Sequence, residues 1–154
     1  MIVFKKGNLF DTRCSSLVNT VNCVGVMGKG IALEFKNRFP EMFEAYKKVC
    51  KQNGMKVGKI WTYRQTSNIF ENKKLYNIVC FPTKEHWMNP SKIEYIEEGL
   101  KSFVKNANTN NYPGGVAFPK LGCNNGGLDW ETQVKPLMIK YLEPLNIYIE
   151  IYEE

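Results

Sequence analysis

Residues 18–36, "VNTVNCVGVMGKGIALEFK", read as a strand, a glycine bend and a helix. The first part, extended to "SLVNTVN" at 16–22, is an apolar run of strand length rich in β-branched residues, which predicts a central strand. The last part continues as "GIALEFKNRF", with Ile31, Phe35 and Phe39 at helical spacing and Pro40 as the stop. Between them stand Gly25, Gly28 and Gly30. This order suits an anion: glycine lets backbone approach a ligand, and the first N–H groups of a helix carry partial positive charge. Neither common phosphate-loop formula fits. A Walker loop needs GxxxxGK followed by Ser or Thr, and here Gly25 is followed by Gly30-Ile31; GxGxxG is absent. A tight turn that merely needs glycine is the competing reading.

Working outward, "MIVFKKG" (1–7) reads as a strand, "EMFEAYKKVCKQNG" (41–54) as a helix with Gly54 near its C-cap, and "KIWTYR" (59–64) and "LYNIVCFPT" (75–83) as strands. Ser91 and Glu94 make an S-x-x-E capping box ahead of a helix whose apolar face is Ile93, Ile96, Leu100, Phe103 and Ala107. "NANTNNYPGG" (106–115) is a loop leading to the short buried strand "GGVAFPKLG" (114–122). "WETQVKPLMIKYLE" (130–143) is a helix whose start is blurred by Pro136, and "NIYIEIYE" (146–153) alternates as a last strand. The order β-β-α-α-β-β-α-β-α-β predicts one α/β domain over 1–154 with a mixed, largely parallel sheet covered on both faces. Ligands of such sheets sit beyond the carboxyl ends of the strands, where the glycines fall.

The bulk properties narrow the class. A chain of 154 residues with 44% hydrophobic content has enough apolar side chains for a full core, which argues against disorder. No apolar run approaches the roughly 20 residues that span a bilayer, and residues 1–6 lack the apolar segment of a secretory signal. Five cysteines (Cys14, Cys23, Cys50, Cys80, Cys123) are an odd number with no CxxC pair, so reduced thiols in a cytoplasmic protein are expected, and no metal site. A single histidine, His86, points the same way. The net charge of +6 is uneven: residues 1–59 hold eleven Lys/Arg against four Asp/Glu, whereas residues 142–154 hold four Glu and no base. A basic face suits an anionic partner such as a nucleotide or nucleic acid; a merely solvated surface is the alternative.

Two further loops carry candidate chemistry. "GCNNGGLDW" (122–130) again follows a strand and precedes a helix, and two such loops in one domain suit the two phosphates of a diphosphate, gripped from opposite sides. Asp129 reads best as a helix N-cap and Trp130 as a core residue. "FPTKEHW" (81–87) delivers Lys84, Glu85, His86 and Trp87 to an edge of the sheet. A lysine there can act as a nucleophile where desolvation lowers its pKa; a solvated surface lysine is the commoner case. His86 and Trp87 are suited either to stacking on a base or to a half-buried aromatic cluster.

Together "VNTVNCVGVMGKGIALEFKNRFPEMFEAYK", "FPTKEHWMNPSKIEYIEEGL" and "LGCNNGGLDW" resemble the macrodomain family, which binds ADP-ribose, and within it the DarG-like antitoxin branch. The resemblance spans essentially the whole chain. It implies a three-layer α/β/α fold and an ADP-ribosyl glycohydrolase that removes ADP-ribose from thymidine in single-stranded DNA, reversing the modification made by a DarT-like toxin. By position, it implies that Gly7, Asn8 and Leu9 flank the adenine, with Asn8 standing where many relatives have aspartate. Asn22 would face the distal ribose. Gly28, Lys29, Gly30 and Ile31 would supply one side of the diphosphate site, and Cys123, Asn124, Asn125, Gly126, Gly127 and Leu128 the other. Lys84 matches the catalytic lysine of the branch. A relative pairs that lysine with an aspartate where Gly126 stands, so no acid partner is assigned. The expected partners are ADP-ribose, ADP-ribosylated single-stranded DNA and a DarT-like toxin, with no cofactor, no metal, no membrane and a monomeric state. Rival readings are a non-catalytic ADP-ribose-binding module, a hydrolase of protein-linked ADP-ribose or of ADP-ribose 1″-phosphate, and a nucleic-acid-binding protein without a nucleotide pocket.

Overall fold

The computed structural model describes residues 1–65, 69–70 and 73–153. Strand β2 (Ser16–Val21) is central because both of its faces are apolar: Leu17 and Val21 point to one layer and Val18 to the other. Strand β6 (Asn77–Pro82) repeats this, with Ile78 and Cys80 on one face and Val79 and Phe81 on the other. A strand of that composition is stable only between two helical layers. The first layer is α1 (Gly30–Arg38) and α2 (Pro40–Lys51), which bring Phe35, Met42 and Tyr46 onto the sheet. The second is α3 (Ile93–Ala107) and α4 (Lys135–Leu142), which bring Ile96, Leu100, Phe103 and Met138 onto the other face.

The remaining strands are β1 (Ile2–Lys5), β3 (Trp61–Arg64), β7 (Val116–Phe118) and β8 (Ile149–Tyr152). They complete a six-stranded sheet in the order β1-β8-β7-β2-β6-β3. Five strands are mutually parallel and β3 runs antiparallel to β6 at the edge, giving the mixed three-layer architecture expected. The β2–β6 register pairs Ser16 with Asn77 and Val21 with Pro82. The chain leaving β2 therefore runs beside the chain leaving β6, and the Cys23 N–H donates to Glu85 O at 2.9 Å.

Four local features add to or differ from the sequence reading. A small hairpin, β4 (Ile69–Phe70) with β5 (Lys73–Lys74), precedes β6. At the end of α2 Gly54 lies near the C-cap as expected, and the left-handed residue is Asn53 (φ 57°). The Asn53 N–H donates to Cys50 O at 3.0 Å and the Gly54 N–H to Val49 O at 2.9 Å, the two bonds of a Schellman cap. The Ser91/Glu94 capping box does not form: Lys92 is the N-cap of α3, while Ser91 is buried and its N–H donates to Gly126 O at 3.0 Å. Before α4, residues Trp130–Val134 form one π-helical turn, which accommodates Pro136 just inside the following helix. The Asp129 carboxylate caps that turn by accepting the Thr132 N–H at 2.8 Å. Trp130 packs partly against the second core layer and donates its indole N–H to Glu153 at 3.0 Å.

Candidate active site

The carboxyl ends of the five parallel strands open into one crevice of about 1100 Å³, at the upper end of what small-molecule pockets occupy. Gly7, Asn8 and Leu9 follow β1, and Tyr152 ends β8 beside them. Asn22, Gly28, Lys29, Gly30 and Ile31 come from the loop after β2, Lys84 from the segment after β6, and Cys123, Asn124, Asn125 and Gly126 from the loop after β7. The structure thus gathers nearly every residue singled out from sequence around one cavity. Gly127 and Leu128 do not line it: Leu128 packs against the second core layer, and Gly127 has open space where a side chain would stand.

Asn22 answers what the first bend holds. Its side-chain N–H donates to Val26 O at 2.7 Å, and its Oδ1 accepts from the Val24 N–H (3.0 Å), the Val26 N–H (3.4 Å) and the Tyr46 hydroxyl (2.8 Å). The same hydroxyl lies 2.8 Å from Asn22 O. Tyr46 is fully buried, and burial pushes its hydroxyl pKa far up, so it stays a donor. The amide of Asn22 is therefore committed to shaping residues 22–26, leaving one side-chain N–H for a ligand in the crevice. Tyr46, from α2, is the positioning residue that local sequence reading missed.

Beyond this braced turn, α1 begins at Gly30 with Lys29 as N-cap and no side chain capping it. Its first N–H groups are orphans of the kind that bind anions. Gly30 has φ +62°, and a Cβ there would stand 2.9 Å from Asn125 Nδ2, so the two glycine loops face each other across a narrow gap. The second loop contributes backbone without a free helix end, because Asp129 already occupies the N-terminus behind it. Gly126 has no room for a side chain: an added Cβ would lie 2.3 Å from Ser91 Oγ and 2.4 Å from Gly122 O. An aspartate cannot fit there, and among the described residues Glu34 is the one acid lining the crevice, against Lys29, Lys84 and Lys120.

Lys84 sits where the two loops converge. Its Nζ donates to Asn125 O at 2.8 Å and lies 3.4 Å from Trp87 O. Partial burial, and then the Lys29 ammonium, lower its pKa from the ordinary lysine value. At the opposite end, Asn8 Oδ1 accepts the Phe10 N–H at 2.9 Å as the cap of a short 3₁₀ turn, which keeps one lone pair for a ligand donor. Next to it, buried Glu150 accepts hydrogen bonds from Thr12, Tyr148 and Tyr152, which fixes the Tyr152 ring at the crevice wall. Cys123 is inert as a nucleophile, since burial pushes its thiol up to about 11. Among the described residues no cluster of His, Cys, Asp and Glu can hold a metal, and no helix is long and apolar enough to cross a membrane.

A mixed six-stranded sheet with two helical layers and a two-loop glycine crevice at its carboxyl edge is the macrodomain arrangement. The Macro domain family model matches residues 18–137, and the chain belongs to that family. It is 44% identical over 152 residues to the DNA ADP-ribosyl glycohydrolase of Mycobacterium tuberculosis, covering 99% of this chain and 42% of that protein. The solved macrodomain of Mycobacterium tuberculosis DarG superposes with a TM-score of 0.92 at 42% identity, over 100% of this chain and 98% of that one. Thermosipho africanus DarTG in complex with ADP-ribose superposes with a TM-score of 0.90 at 37% identity, over 98% of this chain and 41% of that one. The chain thus spans about two fifths of the length of the curated relatives it matches.

Proposed function

We propose that the chain is an ADP-ribosyl glycohydrolase that removes ADP-ribose from thymidine in single-stranded DNA, with Lys84 as the catalytic residue. The observation that carries this reading is the amine of Lys84 poised between the two glycine loops, bonded to Asn125 O at 2.8 Å. The relatives named DNA ADP-ribosyl glycohydrolase support the reaction, and the ADP-ribose complex of Thermosipho africanus DarTG supports the ligand. In this reading the adenine lies by Gly7, Asn8, Leu9 and Tyr152. The diphosphate lies between the start of α1 and residues 123–126. The distal ribose then lies near Asn22 with its C1″ facing Lys84.

The chemistry follows from an amine at that carbon. The neutral Lys84 amine attacks C1″, the thymine leaves with the bonding electron pair, and the proton shed by the new C–N bond goes to the thymine. Water then releases ADP-ribose and restores the amine. Burial and Lys29 lower the pKa of Lys84 and so favour the neutral form this step needs. No acid beside the lysine is required. A toxin that installs the modification is the partner this activity implies, and the basic crevice suits its polyanionic product.

The test is hydrolysis of an ADP-ribosylated single-stranded oligonucleotide by the wild type and by Lys84→Ala. Loss of about 100-fold or more in rate is expected for removal of a positioned nucleophile. Wild-type rates in Lys84→Ala would take Lys84 out of the mechanism. Faster release from glutamate-linked ADP-ribose than from DNA would reassign the substrate.

A further inference from the structure

Past Lys84 the crevice opens onto an apolar rim that the protein itself leaves uncovered. Trp87 is 48% exposed and Met88 71%, while Val24 and Val26, on the loop after β2, are 45% and 39% exposed. Exposed large apolar side chains are ordinary when scattered; here Trp87 and Val26 line the crevice, and Met88 and Val24 stand within two residues of them in the chain. The rim is also held in shape. The His86 and Trp87 rings lie 5.2 Å apart at 33°, the Met88 N–H donates to His86 Nδ1 at 3.1 Å, and the Asn89 N–H donates to His86 O at 3.0 Å. Lys84 Nζ, 3.4 Å from Trp87 O, ties this turn to the reacting amine.

Trp87 and Val26 line the same cavity as Lys84, so the rim is continuous with the site. In the pose proposed above, a group joined to the sugar at the carbon facing Lys84 lies beside them. Its chemistry is constrained from two sides. The rim offers an aromatic face and methyl groups, which suit a flat base. The lining cations Lys29, Lys84 and Lys120 outnumber the one lining acid, which suits a phosphodiester chain. Single-stranded DNA offers both, and stacking of an unpaired base on an aromatic ring is how such strands are commonly held.

Resting on the glycohydrolase reading above, we infer that Trp87, backed by His86, is the stacking platform for the nucleobase that carries ADP-ribose, and so the residue that selects a base-linked substrate. In this assignment the Trp87 ring meets the base and not the ADP-ribose part of the ligand. Its removal therefore separates the two halves of the substrate.

The experiment compares wild type, Trp87→Ala and Trp87→Phe in two measurements: KM for an ADP-ribosylated single-stranded oligonucleotide, and Kd for free ADP-ribose. Loss of one stacked base should raise KM by about 5- to 100-fold in Trp87→Ala, with Trp87→Phe within about 3-fold of wild type. The Kd for ADP-ribose should stay within about 2-fold in both variants, because free ADP-ribose ends at the sugar. An unchanged KM in Trp87→Ala overturns the platform and leaves the rim to another occupant, such as a protein surface. A parallel rise in KM and in Kd also overturns it, since that marks a structural role. If the wild type cleaves no modified DNA, the glycohydrolase reading fails separately. The platform is then judged from the affinity of the same oligonucleotide, measured by fluorescence polarisation on the three proteins, with the same fold-changes deciding.

Discussion

Gly30→Ala probes the gap between the two glycine loops. At φ +62° an alanine is strained by about 1–2 kcal/mol. Its Cβ would also stand 2.9 Å from Asn125 Nδ2, on the facing loop. The strain can be kept or released. If the backbone keeps its angle, the folded state loses about 1–2 kcal/mol, Tm falls by roughly 2–8 °C for a chain of this size, and the Cβ pushes Asn125 and the facing loop out of their gripping position. If it relaxes to negative φ, the first N–H groups of α1 turn away from the crevice. Each hydrogen bond lost to a charged phosphate is then worth about 1.5–3 kcal/mol, or roughly 10- to 100-fold in affinity for ADP-ribose. The combined expectation is a modest loss of Tm together with a 10-fold or larger loss of affinity, read by calorimetric titration and thermal melting. Gly127→Ala is the control. It imposes the same kind of strain at φ +82°, outside the crevice and in open space, so it should lower Tm and leave affinity unchanged. Wild-type affinity in Gly30→Ala, or equal losses of affinity in both variants, would refute the view that the start of α1 grips the diphosphate.

Three further outcomes are expected. Tyr46→Phe removes the hydroxyl shared by Asn22 O and Oδ1, should cost about 1–3 kcal/mol of stability in chemical denaturation, and should weaken ADP-ribose binding by loosening residues 22–26. The hydrolysis rate should rise with pH as Lys84 loses its proton and level off below the usual lysine range. Lys29→Ala should move that limb to higher pH, and a rate that falls as pH rises would instead make Lys84 an acid. Burial pushes the Glu150 carboxyl pKa up, yet the hydroxyls of Thr12, Tyr148 and Tyr152 hold it below the usual range. Its contribution to stability is therefore present above the unfolded-state value near 4.3 and lost as pH falls through the lower folded value. Glu150→Gln should cost about 1–3 kcal/mol at pH 7, and the deficit should shrink in acid, as measured by denaturant melts across pH.

The features legible in the sequence were those set by short-range pattern. The apolar run of β2 predicts a central strand in a largely parallel sheet, and the glycines at 25–30 and 122–127 fall where such strands end. The family resemblance added the roles proposed for Asn22 and Lys84. What was not legible depends on contacts between distant segments. Tyr46 lies 24 residues from Asn22, and only the packing of α2 on the sheet brings its hydroxyl to the amide. Ser91 has the pattern of a capping box, but the second glycine loop folds over it and takes its N–H, which leaves Lys92 as the cap. The left-handed residue beside Gly54 is Asn53, a detail the helical period does not carry. The β4–β5 hairpin lies in a stretch of charged and polar residues with no clear alternation. Glu150 sits in an alternating strand that predicts burial on one face, but the hydroxyls that make a buried carboxylate tolerable come from its own alternate neighbours and from Thr12, 138 residues away.

Isothermal titration of the purified chain with ADP-ribose tests most directly whether two glycine loops and a lysine form one nucleotide site. A single site per chain is expected, saturating well below about 1 mM ligand, the level at which binding free energy is only about −4 kcal/mol. No heat of binding at millimolar ADP-ribose from a folded protein would contradict it.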